Sequence, residues 1–266
     1  MAVQPVCFCR SQSEGNCVLY GYFALSGIQE DSPSCCLSGF ISETDDLSEF
    51  DHAWKSLLAD SSHGLNAADC LQDIGNFQFW DIARRDAMIA GLSEILSRFA
   101  LVTVGTLVVR EDFSHLSSAE RLILSAEGIE SPLDLIFYDW TERMINIVHE
   151  HSEKISLIFC RDSQAEQYRA LFDKHLSRYL LGTHLTTDLA FAEFCDHSHL
   201  QAAKLLGETA LFIETSKRLQ HEATALPISQ GSQQVTDQML QQGRFDAAEL
   251  RRLAARLKGT SQKWIK

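Results

Sequence analysis

The sequence has no long hydrophobic run. No stretch approaches the roughly 20 consecutive apolar residues that a transmembrane helix needs, so no membrane span is predicted. The opening residues, MAVQPVCFCR, lack a basic segment followed by a long apolar stretch, and a secretory signal is not predicted either. We therefore expect a cytoplasmic protein with no membrane partner.

The sequence also has no CxxC pair among its eight cysteines. Cys7 and Cys9 with Cys17 match no common zinc-site spacing, and the ligands of the stretch Cys195–His199 are packed too closely for one. Reduced and mostly buried thiols are typical of a reducing compartment. No cofactor is therefore predicted from the cysteines and histidines.

Basic residues are scarce and unevenly placed. The chain has 23 Lys and Arg against 36 Asp and Glu, for a net charge of −13. From Arg244 onward, however, seven basic residues face only two acidic ones, which leaves −18 on the rest. An acidic body repels phosphate backbones. Nucleic-acid binding is thus disfavoured, and a protein partner or a homo-oligomer is the favoured expectation.

The apolar residues that are present follow two periods. Runs of β-branched and aromatic residues predict five strands, at Cys17–Ala24, Cys35–Ile41, Ala100–Val109, Lys154–Cys160 and Leu185–Phe191. Apolar residues at helical spacing predict helices between them, one of which opens with a capping box at Ser117–Glu120. This mixed order predicts an α/β fold.

Composition divides the chain into four parts. We expect an irregular lead-in over 1–16, a folded domain over 17–219, a linker rich in Ser, Gln and Gly over 220–234, and a basic helical tail over 235–266. The last helix either packs on the acidic surface of its own domain or docks on a partner. The candidate partner-binding residues are Leu250, Leu253, Leu257, Arg251, Arg252 and Arg256.

Several short phrases are similar to a known family. In order they are Tyr22–Gly27, Ser38–Ile41 with Phe50–Leu57, Leu65–Asp69, Leu157–Cys160 and Leu200–Leu206. Between about Leu19 and Leu219 the chain thus resembles the domain of unknown function 3800 family. The resemblance implies an RNase H-like fold, a mixed central sheet flanked by helices, with acidic residues arranged as in metal-dependent nucleases.

The chain departs from the family where the acids are expected. The opening Tyr-x-Asp-Glu-Ser-Gly of the family has Ala24 and Leu25 in place of its acids, and Cys160 and Lys204 replace two further acids. Asn66 stands where a histidine is usual. Of the family's positions only Asp69 keeps its acid, although Asp162 lies two residues beyond an expected one.

These replacements bear directly on metal-dependent cleavage. Two divalent ions must be held by several carboxylates, because Mg²⁺ and Mn²⁺ prefer oxygen ligands. Lys204 instead places a cation where a metal ion would bind, and Glu208 lies four residues on, within reach on a helix. We hypothesise that the Lys204 ammonium takes the metal position and is neutralised by Glu208, Asp69 or Asp162.

Three functions remain open. The first is a catalytically degenerate RNase H-like domain that binds another macromolecule and needs no cofactor. The second is a nuclease dependent on Mg or Mn, with Asp69, Asp162 and Glu208 as relocated ligands. The third is an unrelated enzyme that uses Cys160 as a thiolate activated by Arg161.

Overall fold

The computed structural model describes most of the chain, namely residues 19–43, 47–58, 65–72, 75–151, 155–178, 188–194, 197–219, 234, 236–237, 239 and 243–261. Its strands are β1 (Leu19–Ser26), β2 (Ser34–Glu43), β3 (Val102–Val109), β4 (Ile155–Cys160), β5 (Asp188–Ala192) and β6 (Arg244–Phe245). Its helices are α1 (Leu47–Leu57), α2 (Ala67–Gln72), α3 (Ile82–Phe99), α4 (Arg110–Ser114), α5 (Ser118–Ala126), α6 (Pro132–His151), α7 (Ala165–Leu176), α8 (Ser198–Leu219) and α9 (Ala247–Ser261).

The strands form one mixed sheet in the order β5-β4-β1-β2-β3-β6. Strands β1, β2 and β3 are antiparallel neighbours, whereas β4 joins β1 in parallel and β5 joins β4 in parallel. Helices flank this mixed sheet, and the predicted α/β class is confirmed. The short turn between β1 and β2 brings Ser26 opposite Cys36, so these two strands pair in antiparallel order.

Helices cover both faces of the sheet. Because successive side chains of a strand point to opposite faces, Phe23 belongs to a core shared with Trp140 of α6, and Tyr22 belongs to a second core shared with Trp54 of α1. Helix α8 lies over β1 and β2 within the second core. The carboxyl end of β1 is therefore enclosed from both sides.

Helix α8 approaches the sheet closely at Gly207. A Cβ atom at this position would lie 2.5 Å from Ser38 Oγ and 2.8 Å from Ser26 Oγ, so a larger residue would push the helix away. The Ser38 hydroxyl also donates a hydrogen bond to the Ala203 carbonyl at 2.7 Å. These contacts set the height of the whole helix above β1, and with it the position of Lys204.

The basic C-terminal segment is built into the domain. Strand β6 pairs in parallel with β3, where Arg244 lies opposite Leu107. In α9, the leucines of the predicted stripe, Leu250, Leu253 and Leu257, are all buried in the core that contains Trp140. Of the two interpretations of this helix, packing on its own domain is the one observed. A partner could reach these leucines only after α9 had left the sheet.

Some predicted boundaries were wrong. Strand β1 continues to Ser26, two residues beyond its predicted end at Ala24, whereas its predicted start at Cys17 lies outside the described residues. Strand β6 was not predicted, because two residues carry too little periodicity to be recognised. The capping box at Ser117 and Glu120 is confirmed at the start of α5. The lead-in over 1–16 and all of the linker except Gln234 lie outside the described residues. None of the described helices has the length and apolar character of a membrane span.

Candidate functional site

Lys204 and Glu208 lie together on α8, above the carboxyl end of β1. They are one helical turn apart, and Lys204 Nζ lies 3.0 Å from Glu208 Oε1. The ammonium also donates a hydrogen bond to the Leu25 carbonyl at 2.5 Å. The side chains are 28% and 16% exposed, so water reaches this ion pair from one side only. One cation thus joins the end of β1 to a carboxylate of α8.

The two β1 positions where the family carries acids face opposite sides of the sheet. Leu25 packs into the core beneath α6, and only its carbonyl reaches Lys204. Ala24 is buried, and strand alternation places it on the α8 side with Tyr22 and Ser26. A methyl group and a backbone oxygen therefore stand where the resemblance implies two carboxylates.

A pocket opens beside the Lys204–Glu208 pair. Its volume is about 490 Å³, and the turn after β1, the helix α2 and the helix α8 form its walls. Its apolar lining consists of Ala68, Leu71, Leu211 and Phe212. Gln29, Ser32 and Thr215 add polar groups. This pocket is the candidate functional site, since it combines concave apolar walls with a charged pair.

Gly27 shapes the floor of this pocket. Its φ of 65° lies in the left-handed region, which glycine adopts without steric cost. A Cβ atom there would also lie 2.9 Å from both Leu211 Cδ1 and Ser32 Oγ. The chain consequently turns away from β1 at this point, and the turn forms a wall of the pocket.

Two buried thiols of β2 lie near this end of the sheet, Cys36 on the α8 side near the ion pair and Cys35 on the opposite face. Burial raises the pKa of Cys35 to about 11, and Arg110 opposes part of this effect. Burial also raises the pKa of Cys36, with smaller increases from Cys35 and Glu208, and Lys204 lowers it only in part. Both thiols are therefore protonated at neutral pH and are poor nucleophiles.

The Asp162 carboxylate accepts hydrogen bonds from the first residues of α7 and the residue before them. Its Oδ1 accepts a hydrogen bond from the Gln164 amide at 2.7 Å, and its Oδ2 accepts one from the Tyr168 hydroxyl at 2.8 Å. The N-cap residue of α7 is Gln164, and its side chain makes no capping hydrogen bond. Both oxygens of Asp162 thus have structural partners.

Asn66 and Asp69 belong to the start of α2. The Asn66 side chain accepts a hydrogen bond from the Asp69 amide at 3.4 Å. The Asp69 carboxylate faces Gly75, where a Cβ atom would lie 2.9 Å from Asp69 Oδ2. Among the three acids considered as partners of Lys204, only Glu208 makes an ion pair with it in the described part of the chain.

Cys160 is the last residue of β4 and is half-buried on the α8 side of the sheet. It lies opposite Ala192 of β5. The strand position is the one that the resemblance implies, although the side chain is a thiol rather than a carboxylate.

The donor set does not fit a pair of magnesium or manganese ions. Such ions need several carboxylate oxygens, whereas these positions provide a methyl group, a thiol and an ammonium. Asp69, Asp162 and Glu208 do not converge, and within the described ranges no group of three His, Cys, Asp or Glu side chains could hold a metal ion.

The residues that sequence reasoning missed act through the backbone or through close packing. The Leu25 carbonyl, Gly207 and the pocket wall at Leu211 and Phe212 were not predicted. A carbonyl acceptor leaves no sequence signal. Gly207 was the one residue whose role the sequence could have indicated. Glycine is unfavourable within a long helix unless a neighbouring element packs closely against it.

Comparisons with known proteins show likeness in structure only. No protein-family model matches the chain, and no curated protein matches its sequence. It is similar to the ribonuclease H2 from Pyrococcus horikoshii OT3, with a TM-score of 0.42 and 11% identity over 90% of this chain and 99% of that chain. It is also similar to a chain in a structure of the PCNA:RNase HII complex from Archaeoglobus fulgidus, with a TM-score of 0.39 and 11% identity over 86% of this chain and 92% of that chain. At TM-scores and identities this low, no residue role in either structure can be assigned to this chain.

Proposed function

We propose that this RNase H-like domain does not cleave nucleic acid by a metal-dependent mechanism and that it acts by binding another macromolecule. A single observation carries the first half, namely the Lys204 ammonium held between the Leu25 carbonyl and Glu208 at the carboxyl end of β1. The remaining acids considered for the site either lie apart from it or have structural partners.

An ammonium in this place works against a divalent ion in two ways. It repels the ion directly, since like charges in a partly enclosed site are poorly screened. It also occupies Glu208, a nearby carboxylate that could coordinate the ion. Removing the lysine would not restore a metal site, because Ala24, Leu25 and Cys160 would still supply no carboxylate.

The binding half of the proposal rests on charge. The basic side chains Arg251, Arg252 and Arg256 lie exposed on α9. The rest of the chain is strongly acidic. A protein partner or a second copy of this chain therefore fits better than a nucleic acid. The proposed compartment is the cytoplasm.

A cleavage assay tests the proposal. Purified protein with Mn²⁺ or Mg²⁺ should leave RNA, DNA and RNA–DNA hybrids intact. Its melting temperature should be the same with EDTA as with either ion, because the site has no set of ligands that would bind a divalent ion. The exposed variant Glu94→Gln serves as a preparation control. Metal-dependent cleavage that disappears in Asp69→Asn or Glu208→Gln but persists in the control would refute the proposal in favour of the relocated-ligand nuclease.

A further inference from the structure

The pocket beside Lys204 and Glu208 carries an inference beyond the proposed function. Its volume of about 490 Å³ lies in the range of small-molecule sites, which is roughly 300–1,000 Å³. Both members of the ion pair line it, so a ligand in the pocket meets a cation and an anion side by side.

The hydrogen-bonding capacity of this pair is not exhausted. An ammonium has three N–H donors; one of those of Lys204 donates to the Leu25 carbonyl, and Glu208 Oε1 lies 3.0 Å from the nitrogen as its ion-pair partner. Glu208 Oε1 is the oxygen nearest the ammonium, and within the described residues Glu208 Oε2 has no hydrogen-bond partner. One donor and one acceptor therefore remain next to each other at the pocket surface.

The balance of charge excludes ligands of a single sign. An anion that approached Lys204 would be repelled by Glu208 about one hydrogen-bond length away, and a cation that approached Glu208 would be repelled by Lys204. A ligand that carries a negative and a positive group a few ångströms apart can pair with both residues at once. Its negative group then faces Lys204 and its positive group faces Glu208. The partial burial of the pair strengthens this preference.

The remaining walls indicate what the rest of the ligand is. Leu71, Leu211 and Phe212 present an apolar surface next to the pair. Burying an apolar side chain against such a surface removes it from water and is favourable. We propose that this pocket binds a zwitterionic amino acid with an apolar side chain, whose carboxylate accepts from Lys204 and whose ammonium donates to Glu208 Oε2.

Calorimetric titration with L-leucine and L-phenylalanine tests the inference. At least one of them should bind, whereas its N-acetyl form, which lacks the ammonium, and its amide, which lacks the carboxylate, should each bind at least about tenfold more weakly. Both derivatives keep the apolar side chain. Equal binding of all three forms would overturn the inference, as would failure of both free amino acids to bind at millimolar concentration.

Variants locate the site. Glu208→Gln keeps the shape of the side chain and should weaken binding of the free amino acid about tenfold, while Glu94→Gln on the exposed face of α3 should leave it unchanged. Thr215→Trp should abolish binding by filling the pocket, with the ion pair intact. Unchanged binding in both pocket variants would place the ligand elsewhere. The nuclease assay is a separate measurement, so either proposal can fail without the other.

Discussion

At the scale of single residues, His199 shows how burial sets a charge state. The ring is only 7% exposed and stacks between Tyr22 and Phe50, with centroid distances of 4.5 and 4.4 Å. The pKa of His199 is lowered to about 4, mainly by burial; Asp51 opposes the shift, and the charges of His197 and Lys55 add to it. The imidazole is thus neutral at physiological pH and packs as an aromatic ring within the core.

We predict that this histidine makes the protein sensitive to mild acid. In the unfolded chain the pKa of His199 is 6.5, so between pH 6.5 and 4 the unfolded state binds a proton at this ring and the folded state does not. The stabilisation that the buried neutral ring provides is fully present above pH 6.5 and is lost as the pH falls to 4. This loss lowers the free energy of unfolding by about 3 kcal/mol. Urea unfolding at pH 7 and pH 4.5 measures the loss, which should shrink in His199→Phe. The exposed His52→Gln should show the same loss as wild type, and an equally large loss in His199→Phe would contradict the prediction.

At the scale of elements, the ion pairs around Glu214 attach the C-terminal strand to α8. The Glu214 side chain is 2% exposed, yet it contacts two arginines, Arg218 of its own helix and Arg244 of β6. Arg244 Nη2 donates to Glu214 Oε1 at 3.2 Å, while its Nε lies 3.0 Å from Oε2 without hydrogen-bond geometry. A buried carboxylate is tolerated only when it is compensated in this way.

We predict that Arg244→Gln destabilises the protein by about 2–4 kcal/mol, because it removes one of the two charges that compensate a buried anion. The matched control is Arg252→Gln. This arginine is exposed and pairs only with Glu249 among the described residues, so its loss should cost less than about 0.5 kcal/mol. Chemical denaturation of both variants provides the comparison. Equal costs would mean that β6 is not held by Glu214.

Element boundaries show why sequence patterns were only partly informative. The interior of each large element was predicted correctly, because its apolar pattern continues along the whole element. Strand β6 was not predicted, because a two-residue strand depends on its neighbour β3, which is distant in sequence.

At the scale of the whole molecule, the basic side chains of the C-terminal helix remain on the surface after folding. Helix α9 buries its leucines and exposes its arginines, and Arg251 and Arg256 lie near Glu120 and Glu142 of the same body, at 3.9 and 3.6 Å. Arg252 pairs with Glu249, so each of the three arginines has an acidic neighbour within the molecule.

We predict that any self-association weakens as salt rises and depends on these arginines. Replacement of Arg251, Arg252 and Arg256 by glutamine should shift size-exclusion elution towards the monomer at low ionic strength, whereas Lys55→Gln on α1 should not. Deletion of 243–266 is unsuitable, since it would also expose the core beneath Leu250 and the edge of β3. Elution that is identical for wild type and the triple variant at every salt concentration would remove the association model.

The sequence by itself determined the α/β class, the positions of most strands and helices, and the absence of acids at Ala24, Leu25, Cys160 and Lys204, because periodicity and residue identity are local properties. Only the tertiary structure decided that the Lys204 ammonium pairs with Glu208 and donates to the Leu25 carbonyl, that neither Asp69 nor Asp162 forms an ion pair with it among the described residues, and that the leucines of the basic tail belong to the core. These depend on contacts between residues up to 179 positions apart, whose geometry follows from how α8 and α9 pack on the sheet.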